Sequence, residues 1–407
     1  MLTPAQVKEW SQKCGPSFYL LYLDTALNNY RHLLAAGQAI YAPFGIAYSV
    51  KTNYTPALCK ALSQEGALLE VVSEMEYDLA LKTGHKPCNI IVNGPVHSAA
   101  FIERVLRQDA IINFDSWYQL DVLENFAQQN RQQTFRYGIR LMLDISSCTP
   151  SRFGFPSDKN TLTELANRLW RTRNAKLVSL HCHFCEGARD TGSYGLRAHE
   201  MIRLRKEFFA DFPVEIYNLG GGFYSKMPDE LKAQFTDSIP ELEVYADALC
   251  QPFAEKFREE KKPRLLIEPG NAIVADAMQF YCPVIDIKEP PGRQIAVLDG
   301  SIFDIKPTRN KKNLPLRILE TGGTARQLTN CDLTGFTCLE DDVMYKGFTG
   351  QLAIGHYTVF SNTGAYTNVL RPPFIRPSAA IIAKKGNELF LVKNAETLDS
   401  VLQSYIV

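Results

Sequence analysis

Between residues 27 and 275, short apolar runs of strand character alternate with longer stretches of helical periodicity, and this alternation constrains the fold more than any other feature. The runs are FGIAYSV (44–50), ALLEVV (67–72), NIIV (89–92), AIINF (110–114), FRYGIRLML (135–143), KLVSLHCHF (176–184), VEIYNL (214–219) and RLLIE (264–268). The stretches between them, such as TPALCKALSQEG (55–66), SEMEYDLALKTG (73–84) and SAAFIERVLRQ (98–108), carry apolar residues three or four apart, with glycine at or near several ends. Strands alternating with helices imply right-handed βαβ units and a parallel sheet. Eight such strands in about 250 residues fit a closed (β/α)8 barrel. A doubly wound open sheet accommodates the same strands, and their number alone does not separate the two.

After residue 275 the texture changes. Prolines and glycines cluster at PPGR (290–293), helical periodicity fades, and QIAVLD, LPLRIL, QLAI and LFLV read as strands. We expect a mainly antiparallel β-sandwich or β-barrel-like domain of roughly 130 residues here. SFYLLYL (17–23) precedes the barrel pattern and is expected to pair with it, giving a barrel over 27–275 and a β domain of 1–26 plus 276–407.

A length of 407 residues suits two domains. Lysine plus arginine equals aspartate plus glutamate at 44 each, which removes the electrostatic footprint of a dedicated nucleic-acid binder or basic membrane-surface protein. No apolar run approaches the roughly 20 residues needed to span a bilayer. MLTPAQVKEW lacks the basic and apolar regions of a secretory signal, and ten irregularly spaced cysteines then read as reduced thiols, so a cytoplasmic protein is expected.

Lys51 in YSVKTN follows a strand; it either turns out to solvent or forms a Schiff base at the C-terminal mouth of a barrel. Gly220-Gly221-Gly222 in YNLGGGFYS either makes a flexible turn or lets backbone N–H groups surround an anion. No Gly-Lys-Ser/Thr follows, and it is not a dinucleotide fingerprint. Glu268-Pro269-Gly270 closes a strand, as a solvated turn residue or as a carboxylate aimed at a ring nitrogen. His181, Cys182, His183 and Cys185 invite a metal, but alternate residues of a strand face opposite ways, so no metal is expected and one histidine stacking on a flat cofactor is the better reading. Cys338 in GFTCLEDDVMYKG has acidic and polar neighbours that suit an exposed loop, and Tyr366 in GAYT is either a core tyrosine or a phosphate donor.

The order of these features resembles the alanine-racemase-like barrel family (fold type III) of pyridoxal-phosphate enzymes, within it the ornithine/diaminopimelate decarboxylase group, over about residues 17–380. The resemblance implies that Lys51 holds the cofactor, His183 stacks on its pyridine ring, and Gly220 to Gly222 cradle its phosphate. It implies that Glu268 pairs with the pyridine nitrogen, that Tyr366 contacts the phosphate, and that Cys338 and Asp342 lie on a loop reaching the partner subunit's site in a homodimer. Glu70, Ser73, Asn93-Gly94-Pro95 and Arg152 also fall on family positions around the cofactor. The reaction so implied is decarboxylation of a small-molecule amino acid, with Cys338 as the proton donor to Cα.

Three departures follow from the same comparison. Asn271 stands where the group has a phosphate-binding arginine, and Cys185-Glu186 where it has a glycine-serine pair; Arg189 or Arg152 is expected to restore the charge balance. Leu339 stands where diamine-forming members carry an acid for the far end of the substrate, leaving Glu340 or Asp332 as stand-ins. The expected substrate is therefore an altered, larger or conjugated amino acid of a specialised biosynthetic pathway. Racemisation or epimerisation on the same cofactor, and a non-catalytic pyridoxal-phosphate-binding protein, are the alternatives.

Overall fold

The computed structural model describes residues 1–145, 151–183 and 189–406. They divide into two units, Leu27–Ser225 with Asp237–Ile273, and Met1–Ala26 with Lys226–Thr236 and Val274–Val407.

Strand β1 (Phe18–Tyr22) belongs to the second unit. The first unit holds β2 (Phe44–Ser49), β3 (Leu68–Val71), β4 (Ile90–Val92), β5 (Ile111–Phe114), β6 (Phe135–Met142), the two-residue β7 (Phe155–Pro156), β8 (Ala175–His181), β9 (Ile216–Asn218) and β10 (Arg264–Ile267). All pairings among them are parallel, in the order β5-β4-β3-β2-β10-β9-β8-β6, and β5 also pairs with β6, so eight strands close on themselves with β7 as an appendage of β6. Closure decides for the barrel and against the open sheet. One inward layer of Ala47, Leu68, Ile91, Ile111, Val178, Ile216 and Leu266, drawn from seven strands, packs into a continuous apolar core. Four of the helices that follow strands begin on side-chain caps: Ser73, Ser98, Ser116 and Asp190 each accept a backbone N–H of the first turn.

The second unit continues with β11 (Met278–Lys288), β12 (Ile295–Leu298), β13 (Leu316–Leu319), β14 (Arg326–Thr334), β15 (Val343–Leu352), β16 (Tyr357–Phe360), β17 (Ala380–Lys385) and β18 (Glu388–Lys393). With β1 they form a nine-stranded sheet, and β1 lies between β11 and β17. The sheet is mixed rather than wholly antiparallel, because β1 runs parallel to β17 and β12 parallel to β14. Phe18, Leu20, Tyr281, Val359 and Ile382 share one of its apolar clusters, with Phe18 and Tyr281 stacked at 5.2 Å. Segment Lys226–Thr236 lies inside the span 27–275 yet groups with this unit. Asn362 Nδ2 donates to the Lys226 carbonyl at 3.0 Å, and Gln234 exchanges hydrogen bonds with Asn313 at 2.8 and 2.9 Å. Among the described residues no helix is long and apolar enough to cross a membrane.

Candidate active site

Two residues beyond the apolar layer, the inward face of the barrel turns polar. Ala47, Leu68, Ile91, Ile111, Ile216 and Leu266 are followed at the second position by Ser49, Glu70, Asn93, Asn113, Asn218 and Glu268. Residues two apart in an extended chain share a face, so closing the barrel brings these six together at the C-terminal strand ends.

Glu268 and Glu70 are the centre of the group, at 4% and 1% exposure. Glu268 Oε1 accepts from Asn93 Nδ2 at 2.7 Å and Asn218 Nδ2 at 2.6 Å, and Oε2 takes His181 Nε2 at 3.3 Å. Glu70 Oε2 accepts from Ser49 Oγ at 2.6 Å and from Lys51 Nζ at 2.5 Å. Asn93 Nδ2 also donates to Glu70 Oε1 at 3.1 Å, so one amide joins both carboxylates, while its Oδ1 accepts from Asn113 Nδ2 at 2.9 Å. An isolated carboxylate here would be far too costly to bury; the converging donors are what permit it. Burial by itself raises the Glu268 carboxyl, but His181, by charge and hydrogen bond, and Lys51 outweigh it and hold the group below the usual carboxylate range.

Lys51 sits in the single turn Val50–Thr52 that ends β2. Its Nζ also donates to Ser49 Oγ at 2.7 Å, and about a third of its side chain is exposed, so the amine is anchored beside Glu70 and still reachable. The Glu-Pro-Gly turn packs against the same element, the Pro269 carbonyl accepting the Ser49 N–H at 3.2 Å.

His183 lies just past β8. Its Nδ1 accepts the Gly221 N–H at 2.8 Å, which makes Nε2 the protonated nitrogen of the neutral ring. Burial, with the charges of Arg140, Lys51 and His181, lowers its pKa well below the ordinary histidine value despite the opposing Glu268. Arg140 on β6, a buried residue, donates from Nη2 to the His183 carbonyl at 2.7 Å and from Nη1 to Asp115 Oδ2 at 3.4 Å. Cys182 is fully buried and its thiol is pushed up to about 12 by that burial.

The triple glycine is required by close approach. Gly220 has φ +68°, and a Cβ on Gly221 would fall 2.3 Å from the Glu268 carbonyl oxygen. Two of its amides are already committed, Gly220 N–H to Asn218 Oδ1 at 3.1 Å and Gly221 N–H to His183 Nδ1 at 2.8 Å. The expectation that the whole run surrounds an anion therefore narrows, because those donors face the strand ends. Arg189 has φ +50° and lies 4.9 Å from the ring centre of Tyr224, just past the glycines, and Arg152 lies 4.0 Å from that of Phe153. Cys185 and Glu186 lie outside the described residues.

In the β unit, Cys338 is exposed on the loop between β14 and β15. Asp342, expected at the substrate, is buried and committed to that loop: Oδ2 accepts from Thr337 N at 3.1 Å and Oγ1 at 2.7 Å, and Oδ1 from Ile302 N at 2.7 Å. A carboxylate with three internal donors is a staple for the loop, not a free ligand for an ammonium group. Glu340 is exposed, Asp341 pairs with Arg309, and Asp332 is tied to Arg293 and the Gly347 N–H at 3.2 Å each. Tyr366 is 39% exposed with φ +56°, an uncommon conformation for a tyrosine.

Asn218, Arg140 and Ser49 carry no site expectation from the sequence, and His181 enters there only as part of the cluster considered for a metal or a stacked ring. The signal available was the period: each of Ser49 and Asn218 stands two residues after an apolar inner-layer residue.

A closed parallel barrel with a lysine, two carboxylates and a histidine meeting at its C-terminal strand ends defines a barrel enzyme that works on groups held at that mouth. The family model described as pyridoxal-dependent decarboxylase, pyridoxal binding domain, matches residues 27–275, and the chain belongs to this family. It is a pyridoxal-phosphate-dependent amino-acid decarboxylase. The diaminopimelate decarboxylase of Aquifex aeolicus is 24% identical, over 98% of this chain and 93% of that protein. The structure of diaminopimelate decarboxylase from Helicobacter pylori complexed with L-lysine superposes with a TM-score of 0.83 at 20% identity, covering 97% of this chain and 98% of that one. The arginine decarboxylase of Paramecium bursaria Chlorella virus reaches a TM-score of 0.74 at 18% identity, covering 91% and 97%.

Proposed function

We propose that Lys51 holds pyridoxal phosphate at the barrel mouth, with Glu268 on its ring nitrogen, His183 against its face, and Gly222, Arg152 and Arg189 serving its phosphate. The donor set fits the group: a reachable amine, a carboxylate kept ionised in a dry site, and a glycine run that no Cβ obstructs. When bound, the cofactor would supply an aldehyde for amines and a ring that delocalises the electron pair left at Cα as carbon dioxide departs.

The observation that carries the reading is the chain Lys51–Glu70–Asn93–Glu268–His181, in which successive polar groups lie 2.5 to 3.3 Å apart. To act as a nucleophile, Lys51 must lose a proton, and Glu70 Oε2 is placed to take it. Glu268, held ionised by its donors, keeps a proton on the ring nitrogen. The neutral His183 offers a flat face without a competing charge beside that ring, and its Gly221 contact fixes its orientation.

Cys338 is the proton donor to Cα, and its exposed loop serves a second copy of the chain in a homodimer. Mixing Lys51→Ala and Cys338→Ala proteins, each inactive alone, restores part of the activity if the sites are shared; no recovery on mixing counts against this arrangement. All cysteines among the described residues are unpaired, which supports a cytoplasmic setting.

The substrate is an amino acid whose far end is not a simple ammonium group. Leu339 is half-buried, Asp342 is closed into its loop, and Asp332 and Asp341 already have arginine partners, which leaves Glu340 as the acid open for contact. Carbon dioxide release across a panel of ornithine, lysine, arginine, diaminopimelate and larger conjugated amino acids, with chiral analysis of the product, tests this. The conjugates are expected to turn over best; ornithine or lysine in first place contradicts the substrate reading, and racemised substrate without carbon dioxide contradicts the reaction.

A further inference from the structure

A buried arginine lies behind the glycine run. Arg197, on helix Thr191–Phe208, is 1% exposed, and its guanidinium lies 4.2 Å from the ring centre of Tyr194 one turn earlier. Its Nη1 donates to the carbonyls of Leu219 and Gly221, each at 3.4 Å, and the Tyr194 hydroxyl donates to the same Gly221 carbonyl at 3.3 Å. A trans peptide is planar, with its C=O and the following N–H pointing opposite ways. Drawing the Gly221 carbonyl toward the helix therefore turns the Gly222 N–H away from it.

The neighbouring peptides are fixed as well. The Gly220 N–H meets Asn218, the Gly220 carbonyl accepts the Glu268 N–H at 2.8 Å, and the Gly221 N–H meets His183. A glycine turn does not need a buried guanidinium to close, and burying one carries a desolvation cost of several kcal/mol.

Resting on the reading of Gly220 to Gly222 as the phosphate loop, we propose that Arg197 and Tyr194 are positioning residues for the cofactor phosphate. They fix the Gly221 carbonyl so that the Gly222 N–H is presented to the anion. Arg189 and Arg152 rest on the aromatic rings of Tyr224 and Phe153.

The test compares equilibrium binding of pyridoxal phosphate and of pyridoxal to the cofactor-free full chain, followed by absorbance. The ratio of the two affinities reports the phosphate's share. Arg197→Met is expected to lower that ratio by about tenfold or more, and Tyr194→Phe by about two- to fivefold, with pyridoxal binding itself unchanged. A ratio that stays at the wild-type value in Arg197→Met overturns the proposal, whether both affinities hold or both fall together. Should Arg197→Met not fold, Tyr194→Phe decides by the same ratio. Wild-type protein that binds neither compound contradicts the functional reading itself, and wild-type protein that binds both equally contradicts the phosphate loop.

Discussion

In the barrel, Glu70 and Glu268 stand at strand ends, and their partners Ser49, Lys51, Asn93, His181 and Asn218 come from four other strands. In the β unit, Cys338 rides a connecting loop that one side chain, Asp342, holds closed. The first arrangement is positioned by the hydrogen-bonded sheet itself, so each group is fixed by the core that fixes its strand. The second depends on local contacts and is the more readily altered without disturbing the fold. Groups that must hold a cofactor in register suit the first, and a group that arrives only to deliver a proton suits the second.

The comparison breaks most visibly at Lys51. Lys51→Ala is expected to lower the rate of carbon dioxide release by at least about 1,000-fold while leaving the melting temperature near the wild-type value. Glu268→Gln comes next, at about 100-fold, because a neutral amide cannot keep the ring nitrogen protonated. That variant should still bind the cofactor, which absorbance titration checks.

Asp342→Ala sharpens the contrast between staple and ligand. Removing an acceptor from three donors, one of them the buried Ile302 N–H, is expected to cost about 1 to 3 kcal/mol, seen as a lower melting temperature together with a lower kcat. An unchanged melting temperature with a raised KM would instead put Asp342 on the substrate.

The smallest effect concerns pH. His183 and His85 both have folded pKa values below the unfolded value of 6.5, through burial, with His85 at about 4. Below pH 6.5 the unfolded chain binds protons that the folded chain does not, so stability present above that pH is lost as the pH falls toward the folded values. Thermal melts between pH 7 and 5 should show this decline, and His85→Asn should reduce its slope by roughly 1 kcal/mol across the interval.

Much of the barrel was legible in the sequence, because each parallel strand is an apolar run whose boundaries follow from its neighbours. Lys51 and Glu268 were legible for a related reason, since a charged residue directly after such a run marks a strand end. His181, Asn218 and Arg140 were harder. A polar residue at a strand end ordinarily faces water, and only ring closure, which sets His181 level with Arg140 on one side and Asn218 on the other, turns them inward. Asp342 reads as a free acid in FTCLEDD because its partner, the Ile302 N–H, lies 40 residues away at the start of the short helix Ile302–Ile305. The parallel pairing of β1 with β17 joins segments more than 350 residues apart, and no local pattern encodes the direction of such a pair.

The central claim is that Lys51, in the ring formed by the barrel's strand ends, holds the cofactor. Borohydride reduction of the protein loaded with pyridoxal phosphate, followed by digestion and mass mapping, tests it most directly. The expected result is a single reduced pyridoxyl phosphate adduct on the peptide containing Lys51; an adduct on another lysine, or loaded protein with no adduct at all, would contradict the account.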